Sequence, residues 1–391
     1  MKTTHLVLMS VFYFSQIHAY NLPEQPTKSY ECDECINLSH ETLQDKWGIS
    51  SKPLDQKVSN LRTSYSYIQR ATLKQLQEGV VISTLAPGAV VRIRPLQKKS
   101  IPQFVLKTPA NKQMDLKEAS ALFSQNEALG DTDFAIQHQT MLQIKPELGA
   151  GKFIIKSKTV DSKDADTYLI NVYDKFSLTY LQIETDSTHY KYGDKLTATI
   201  TLKDDEANYT VDDLDVVLIG PQGQEVPVKL TQIKHNKFTA RATLDSELND
   251  HGENWYIEAD VETELRGLLI KRSGHTAFSY SIPSASLLSL KKLPSKHLLF
   301  EASMDVATAS RYSLQSVLFR KNSEGKIIPI ETSQKAQWLT PGKHSIQFTF
   351  DNSNQLSEDS LYLGYLRLID YGQLKPVYQY NQPVKLTQLV E

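Results

Sequence analysis

The stretch Leu196–Lys203 reads LTATITLK, and in it apolar and polar side chains alternate. Its even-numbered residues are leucine, alanine or isoleucine, and its odd-numbered residues are threonines and one lysine. Because successive side chains of a β-strand point to opposite faces, this stretch predicts a strand with one buried and one exposed face. Such strands belong to antiparallel sheets packed on one side. The same alternation recurs at Phe238–Leu244, Trp255–Glu262 and His344–Asp351.

Short turn motifs separate these strands: Tyr192-Gly193-Asp194, Gly220-Pro221-Gln222-Gly223 and Thr340-Pro341-Gly342-Lys343. Glycine tolerates a positive φ and proline fixes φ near the value that turns need, so each motif predicts a chain reversal. Segments with the period of a helix are few. The chain is therefore predicted to be mostly β and to form tandem immunoglobulin-like β-sandwich domains.

The first residues predict export. Lys2 supplies a positive charge, Leu6–Phe14 is an apolar run too short to cross a bilayer, and Ala19 is a small residue suited to cleavage before Tyr20. Residues 1–19 are therefore predicted to be a signal peptide. The mature protein is expected to be secreted or periplasmic, and no later stretch predicts a membrane span.

The pattern of strands and turns divides the rest of the chain. We expect an N-terminal segment at 20–60, extended or partly helical, a β-rich domain at 61–175, a sandwich at 176–283 and a C-terminal sandwich at 284–391. The domain at 61–175 is expected to carry one or two helices, of which one is predicted over Met114–Asn126 because its apolar residues share one helical face. Its predicted strands are Val80–Ser83, Ala89–Pro95, Lys152–Lys158 and Thr167–Tyr173.

Charge is close to balanced, with 43 basic and 45 acidic residues among 391. No basic stripe of the kind that nucleic acids require is present, so no nucleic-acid partner is predicted. We expect a monomer that binds a protein or glycan ligand.

The motif Cys32-Asp33-Glu34-Cys35 contains the only two cysteines. In an oxidising compartment they are expected to form a disulfide, and closing so short a loop would contribute roughly 2 kcal/mol and fix a local turn. Two alternatives stay open. With His40 the cysteines would supply three zinc ligands, although no fourth is visible. A redox C-x-x-C would normally begin a helix after a strand, and here the two acidic residues disfavour the thiolate.

Two further motifs resemble catalytic signatures only in part. His40-Glu41 lacks the second histidine that a zinc protease helix needs, so His40 is expected to be a surface residue. Gly149–Lys152 lacks the earlier glycine of a phosphate loop and predicts a turn that begins a strand. No catalytic, cofactor-binding or metal-binding residue and no cofactor is assigned from the sequence.

Acidic residues cluster in two loops, where calcium ligands and ordinary solvated side chains both remain open. The first cluster is Asp161, Asp164 and Asp166, and the second is Asp204, Asp205, Glu206, Asp212, Asp213 and Asp215. Tyrosines are frequent near the C-terminus, where an exposed row would bind sugar or peptide, although aromatic residues in strands more often pack in the core. These tyrosines are Tyr362, Tyr365, Tyr371, Tyr378 and Tyr380.

Tyr190–Lys203, Leu218–Lys229 and Lys237–Leu244 resemble bacterial immunoglobulin-like modules, in which a Y-x-x-G-D turn precedes a long alternating strand. Leu339–Phe350 and Leu361–Asp370 are similar to the closing strands of another such module. With the strand Ala86–Ile93, the order resembles an uncharacterised family of exported Gram-negative bacterial proteins, in which a helix-containing β domain precedes two sandwiches. The resemblance covers most of the mature chain and implies no activity and no catalytic residue.

Three functions are compatible with these features. The first is an exported, non-catalytic binding protein, since sandwich modules gather loops at their ends and no catalytic motif is present. The second is a secreted hydrolase with its active site in the first domain, which predicts a deep polar pocket near residues 61–175. The third is a periplasmic chaperone or secretion accessory, which predicts an exposed apolar groove or an open sheet edge.

Overall fold

A computed structural model describes residues 19–52, 54, 60–97, 101–126, 139–158, 166–204, 210–247, 252–265, 267–351 and 356–389. The predicted signal peptide, except for Ala19, lies outside these residues. Within them, no helix has the length and apolar character needed to span a membrane.

The described residues form 29 strands and one α-helix. From the N-terminus to residue 173 the strands are β1 Tyr20–Asn21, β2 Leu43–Gly48, β3 Leu61–Ser64, β4 Ser66–Thr72, β5 Val80–Thr84, β6 Val90–Pro95, β7 Phe104–Lys107, β8 Gln113–Asp115, β9 Ser120–Asn126, β10 Gln139–Ile144, β11 Gly151–Ser157 and β12 Thr167–Tyr173. Helix α1 spans Leu73–Glu78.

The remaining strands follow in two groups. The first is β13 Thr179–Thr185, β14 His189–Lys191, β15 Lys195–Asp204, β16 Asp213–Ile219, β17 Glu225–Pro227, β18 Lys229–Lys234, β19 Lys237–Thr243, β20 Trp255–Leu265 and β21 Leu268–Ser281. The second is β22 Ala285–Leu293, β23 Leu298–Val306, β24 Ser310–Lys321, β25 Ile327–Leu339, β26 Gly342–Phe350, β27 Leu361–Asp370, β28 Lys375–Tyr380 and β29 Val384–Lys385.

The prediction of a mostly β chain with tandem domains is confirmed. The chain divides into two compact units. One comprises Val58–Leu244 and Asn254–Ser279, and it holds the first and central domains. The other comprises Met1–Lys57, Asp245–Glu253 and Tyr280–Glu391, and it holds the C-terminal domain.

The first domain packs a five-stranded sheet, β4-β12-β6-β10-β9, on a four-stranded sheet, β5-β11-β7-β8. Between them lies an apolar core to which alternate residues of each strand contribute, among them Val91, Ile93 and Ile170. Helix α1 begins at a capping box, in which Gln75 N–H donates to Thr72 Oγ1 and Gln75 Oε1 accepts from Thr72 N–H.

The prediction of a helix over Met114–Asn126 is wrong. Only one helix-like turn forms there, where Ala119 N–H donates to Asp115 O at 2.9 Å. The chain then enters β9, which pairs with β10 along its length. The apolar spacing that suggested a helix is shared between a buried turn and a strand, because Leu116 and Ala119 enter the core while Leu122 stays 69% exposed.

The central domain packs the sheet β18-β19-β15-β13-β3 on the sheet β14-β21-β20-β16-β17. The LTATITLK stretch is β15, and its even-numbered residues are buried as predicted. Strand β3 belongs to this domain by pairing with β13, and the chain continues directly into β4 of the first domain. The two domains are therefore joined by adjacent strands as well as by the link after β12.

The C-terminal domain packs the sheet β1-β22-β23-β26 on a six-stranded sheet of order β2-β25-β24-β27-β28, with β29 paired to β27. Strands β1 and β2 come from the N-terminal segment, and each one forms the edge of a different sheet of this sandwich. We name residues 20–48 the N-terminal strap. It is extended except for a 3-10 turn at Asp33–Asn37.

Candidate ligand-binding cleft

A buried ion pair fixes the junction of the first and central domains. Arg272 of β21 donates to Asp174, which follows β12, at 3.0 Å, and both side chains are almost fully withdrawn from solvent. Asp174 also accepts the backbone N–H groups of Leu85 and Ala86. Burial lowers the pKa of Arg272 from its ordinary value, and the neighbouring Asp174 carboxylate opposes that shift.

Three further hydrogen bonds hold the guanidinium of Arg272. Its Nε donates to Thr179 O at 3.0 Å, and its terminal nitrogens donate to Ser177 Oγ at 2.8 Å and to Lys271 O at 2.8 Å. Because these partners belong to the link between the domains and to β13 and β21, the guanidinium holds that link against the central sandwich. The junction is thus built as part of one compact unit.

Beside this junction lies a cleft of about 660 Å³. Strands β3 and β4 with β12 form one wall, and strands β20 and β21 form the other, while Leu181 and Ile183 of β13 lie at its floor. Ser64 Oγ donates to Ser273 O at 2.6 Å, which ties the two walls together. Gly274 allows this approach, since a Cβ there would lie 3.2 Å from the Ser64 side chain.

The two walls carry different charges. Arg62 and Arg70 are exposed on the β3–β4 wall, and the apolar Ile68 between them is 52% exposed. The β20 wall carries Glu258 and Asp260, with a further carboxylate at position 262.

Cross-strand neighbours on β21 face these acidic residues: His275 lies opposite Glu258, and Lys271 lies opposite Glu262 and forms an ion pair with it. On the other side of β20, Asp260 lies opposite Asp215 of β16. Like charges directly opposite each other destabilise a sheet, so this wall holds more negative charge than the fold itself favours.

The predicted Cys32–Cys35 disulfide is present. It lies in the N-terminal strap and packs against Gly372 of the C-terminal domain. His40 stacks on Trp338 with ring centroids 4.3 Å apart. Among the described residues, no group of three His, Cys, Asp or Glu side chains is placed to hold a metal ion.

The other sequence candidates do not come together in a site. Lys152 lies in β11, which begins at Gly151 after a 3-10 turn, so the strand-initiating turn is confirmed. Tyr378 is buried. Tyr365 is half-buried, and the Arg367 guanidinium carbon lies over its ring, 4.5 Å from the ring centroid. Of the late tyrosines, Tyr362, Tyr371 and Tyr380 are likewise half-buried, so they form no exposed row.

The acidic loops are described only in part, because residues 159–165 and 205–209 lie outside the described residues. Asp204 accepts the Thr179 hydroxyl, and Asp212 Oδ2 accepts the Glu264 N–H at 2.7 Å. Asp213 and Asp215 are exposed on β16, facing the acidic residues of β20. Sequence reasoning missed this relation because it treated Asp213 and Asp215 as loop residues and β20 only as a strand.

Three family models match consecutive parts of the chain. They are the N-terminal, central and C-terminal domains of a domain of unknown function, DUF4785, and they match residues 34–174, 177–281 and 284–387. The chain belongs to the DUF4785 family. A solved DUF4785 family protein from Legionella pneumophila is 63% identical to it, with 94% of this chain and 99% of that chain covered and a TM-score of 0.83.

Two less similar structures come from Escherichia coli. Its α-2-macroglobulin is 14% identical over 78% of this chain and 20% of that chain, with a TM-score of 0.30. Its adhesin FdeC is 12% identical over 85% of this chain and 99% of that chain, with a TM-score of 0.20. Scores this low carry no functional conclusion for the DUF4785 chain. Among curated proteins, none matches the chain significantly.

Proposed function

We propose that this DUF4785 protein is an exported, non-catalytic binding protein of a Gram-negative cell and that it holds a polypeptide segment in the cleft of the first and central domains. The observation that carries the proposal is the cleft itself, which combines an arginine wall, an acidic wall and an exposed isoleucine in about 660 Å³. That volume is in the range of ordinary ligand pockets, roughly 300–1,000 Å³.

A polypeptide fits this combination because it offers cationic, anionic and apolar side chains in one extended molecule. Arg62 and Arg70 would bind its carboxylates, and Glu258 and Asp260 would bind its lysines or arginines. Ile68 would pack against an apolar side chain. Export is supported by the charged start, apolar run and small cleavage residue at positions 1–19, and by a disulfide in the mature chain.

The first-domain side of the cleft does not have the composition of a hydrolase active site. On the side of the first domain, its described lining residues are Ser66, Ile68, Arg70 and Asn171, none of which is a carboxylate or an imidazole. A hydrolase with its active site in that domain needs an acid or base there.

The test is selection of a displayed library of random peptides on the protein comprising residues 20–391. We expect enrichment of peptides that contain both acidic and basic residues. Arg70→Glu should weaken their binding by about tenfold, which is the effect of roughly 1.4 kcal/mol, and Asp260→Lys should do so through the basic residues of the peptide. Lys326→Glu, which changes an exposed lysine of the other unit, is the matched control.

Two outcomes would contradict the proposal. One is that no peptide is enriched on the unaltered protein. The other is that enriched peptides bind Arg70→Glu and Asp260→Lys as well as they bind Lys326→Glu.

A further inference from the structure

The two cysteines of the strap differ in their surroundings. Cys35 is 2% exposed, whereas Cys32 is only half-buried, so Cys32 is the more accessible residue of the disulfide. Gly372 packs directly against this disulfide. A Cβ there would overlap Tyr30 Oη and Cys35 Sγ and would lie 3.1 Å from Cys32 Sγ.

A buried carboxylate lies behind Cys35. Asp370, which is fully withdrawn from solvent, accepts hydrogen bonds from Tyr30 Oη at 2.9 Å and from Ser310 Oγ at 2.5 Å. The Gly372 N–H donates to it at 2.9 Å. Ser284 Oγ and Gln373 Nε2 also donate to it. Within the described part of the chain, no lysine, arginine or histidine pairs with this carboxylate.

Two hydroxyl groups connect this carboxylate to the buried sulfur. Cys35 Sγ lies 3.5 Å from Ser310 Oγ and 3.7 Å from Tyr30 Oη, and both hydroxyls donate to Asp370. A thiol at position 35 would therefore have a two-step hydrogen-bonded path for its proton to a buried carboxylate. This is the arrangement that a resolving cysteine needs, because it must lose its proton while shielded from water.

We propose that Cys32 and Cys35 form a thiol–disulfide exchange site, in which Cys32 reacts with the substrate, Cys35 is the resolving cysteine and Asp370 takes its proton. This activity is independent of ligand binding in the cleft. The substrate class is a polypeptide disulfide. Ile36, adjacent to Cys35 and 73% exposed, gives the site an apolar contact for a polypeptide chain.

The exchange is balanced in sulfur, electrons and protons. In the reduced protein, the Cys32 thiolate attacks the substrate disulfide, forms a mixed disulfide and releases one substrate thiolate. Cys35 then passes its proton through Ser310 or Tyr30 to Asp370 and attacks Cys32 Sγ, which releases the second substrate thiolate and closes Cys32–Cys35. The substrate gains two electrons and the protein loses two.

An external dithiol returns the protein to the reduced state by the reverse sequence. Its thiolate attacks the Sγ atom of the half-buried Cys32, and the Cys35 thiolate that leaves takes its proton back from Asp370 along the same path. The second thiolate of the dithiol then attacks its own sulfur in the mixed disulfide and releases the Cys32 thiolate. The dithiol is thereby oxidised to a disulfide, so the cycle needs no other oxidant or reductant.

The test uses the chain comprising residues 20–391, reduced with dithiothreitol, freed of reductant and mixed with oxidised glutathione. Cys35→Ser should trap glutathione on Cys32, and in Cys32→Ser the buried Cys35 should stay unmodified, as mass spectrometry would show. Closure of the native disulfide should be slowed by about 100-fold in Asp370→Asn, with a flattened dependence on pH, since the resolving cysteine loses its base.

Asp305→Asn, in which a half-buried carboxylate of the same domain is changed, is the matched control and should close at the native rate. If Asp370→Asn does not fold, the double variant Tyr30→Phe with Ser310→Ala replaces it, with the same expected loss of rate and of pH dependence.

Three results would overturn the proposal. The first is a folded protein whose disulfide resists dithiothreitol. The second is glutathione attached to Cys35 rather than Cys32. The third is closure with an unchanged rate and pH profile in the Asp370→Asn or the double variant. Any of these would leave the disulfide as a purely structural cross-link within the strap.

Discussion

The Arg272 guanidinium and the Asp174 carboxylate lie 3.0 Å apart, with side chains 1% and 0% exposed. Arg272 belongs to the central domain, and Asp174 is the last residue that matches the model of the N-terminal domain. A charged pair removed from water is tolerated only when its partners are well placed, and here backbone and hydroxyl groups add hydrogen bonds to both side chains.

Replacing Asp174 by Asn should lower the free energy of unfolding by about 3–5 kcal/mol, because Arg272 would keep its buried charge and lose its counter-charge. Denaturant unfolding would measure the loss. Glu324→Gln breaks a pair with Lys326 whose side chains are 68% and 74% exposed, and it should change stability by less than about 0.5 kcal/mol.

A double-mutant cycle with Arg272→Met would separate the pair from its other bonds. The double variant should be less destabilised than the sum of the two single variants, because no buried charge is then left alone. Additive effects would show that Arg272 and Asp174 act separately.

Gly372→Ala should destabilise the C-terminal domain by about 1–3 kcal/mol, because the new methyl group would collide with Tyr30 and Cys35 and push the strap away. Thermal unfolding is the measurement. Gly48→Ala is the control, since the nearest atom to a Cβ there is Ile330 O at 3.9 Å, an ordinary contact. Equal melting temperatures for the two variants would show that the strap shifts at no cost.

The alternation of buried and exposed residues predicted the strands well. It also contained a signal that was not used, which is a charged residue at a buried position of β21. In β21 the inward positions are even-numbered, among them Ile270, Thr276 and Phe278, and Arg272 is one of them. An arginine at a buried position needs an anionic partner, so the alternation already indicated a buried ion pair. It could not identify Asp174, which is 98 residues away in the chain.

The position of the strap was beyond sequence reasoning for a different reason. All six residues of β2 are exposed, so no apolar pattern marks this stretch as an edge strand. Its pairing with β25 rests on backbone hydrogen bonds, which carry no side-chain signature. The cleft was equally hidden, because its walls come from strands that are far apart in the chain. Ser64 and Ser273, which are hydrogen-bonded across it, are separated by 209 residues.

Alkaline pH should loosen the strap through two tyrosines that contact it. Tyr378 Oη donates to Pro23 O at 3.0 Å, and Tyr380 is hydrogen-bonded to Tyr20 at 3.0 Å. Burial, together with the charge of Tyr380, raises the pKa of Tyr378 to about 12. Burial and the Tyr20 bond likewise raise the pKa of Tyr380 to about 12.

A tyrosine in the unfolded chain ionises near pH 10, so the contribution of Tyr378 is complete below about pH 10 and is lost as the pH rises to about 12. The loss for this buried residue is about 2–3 kcal/mol. At neutral pH, Tyr378→Phe should lower the free energy of unfolding by about 1 kcal/mol, because the bond to Pro23 is lost. Between about pH 10 and pH 12, the free energy of unfolding of this variant should fall less steeply than that of the unaltered protein.

Urea unfolding at a series of alkaline pH values would measure the effect, with tyrosinate absorbance as the second signal. Tyr173→Phe changes an exposed tyrosine in the other unit and should keep the slope of the unaltered protein. If the free energy of unfolding of Tyr378→Phe fell with pH as steeply as that of the unaltered protein, Tyr378 would have the same pKa in the folded and unfolded chains. That result would contradict the prediction.

Within the part of the chain that the structure describes, strand β18 is an edge strand of its sheet. A chaperone would use such an edge to bind a partner strand, but the residues of β18 discourage that pairing. All six of its residues are exposed, Lys229 and Lys234 stand at its ends, and the register with β19 shifts between Gln232 and Lys234. Charged ends and a bulge protect an edge strand against another chain, even though Leu230 and Ile233 expose apolar surface there.

Replacing Lys229 and Lys234 together by valine should therefore increase concentration-dependent association relative to the unaltered protein, because it removes the charges and raises the strand propensity of the edge. Sedimentation velocity over a range of concentrations would detect this association. The control is Lys296→Val combined with Lys326→Val, which makes the same change in charge outside the strands. It should leave the sedimenting mass in solution unchanged. If both double variants kept the mass of the unaltered protein, the bulge alone would be protecting the edge. If both associated, lost charge rather than strand pairing would be the cause.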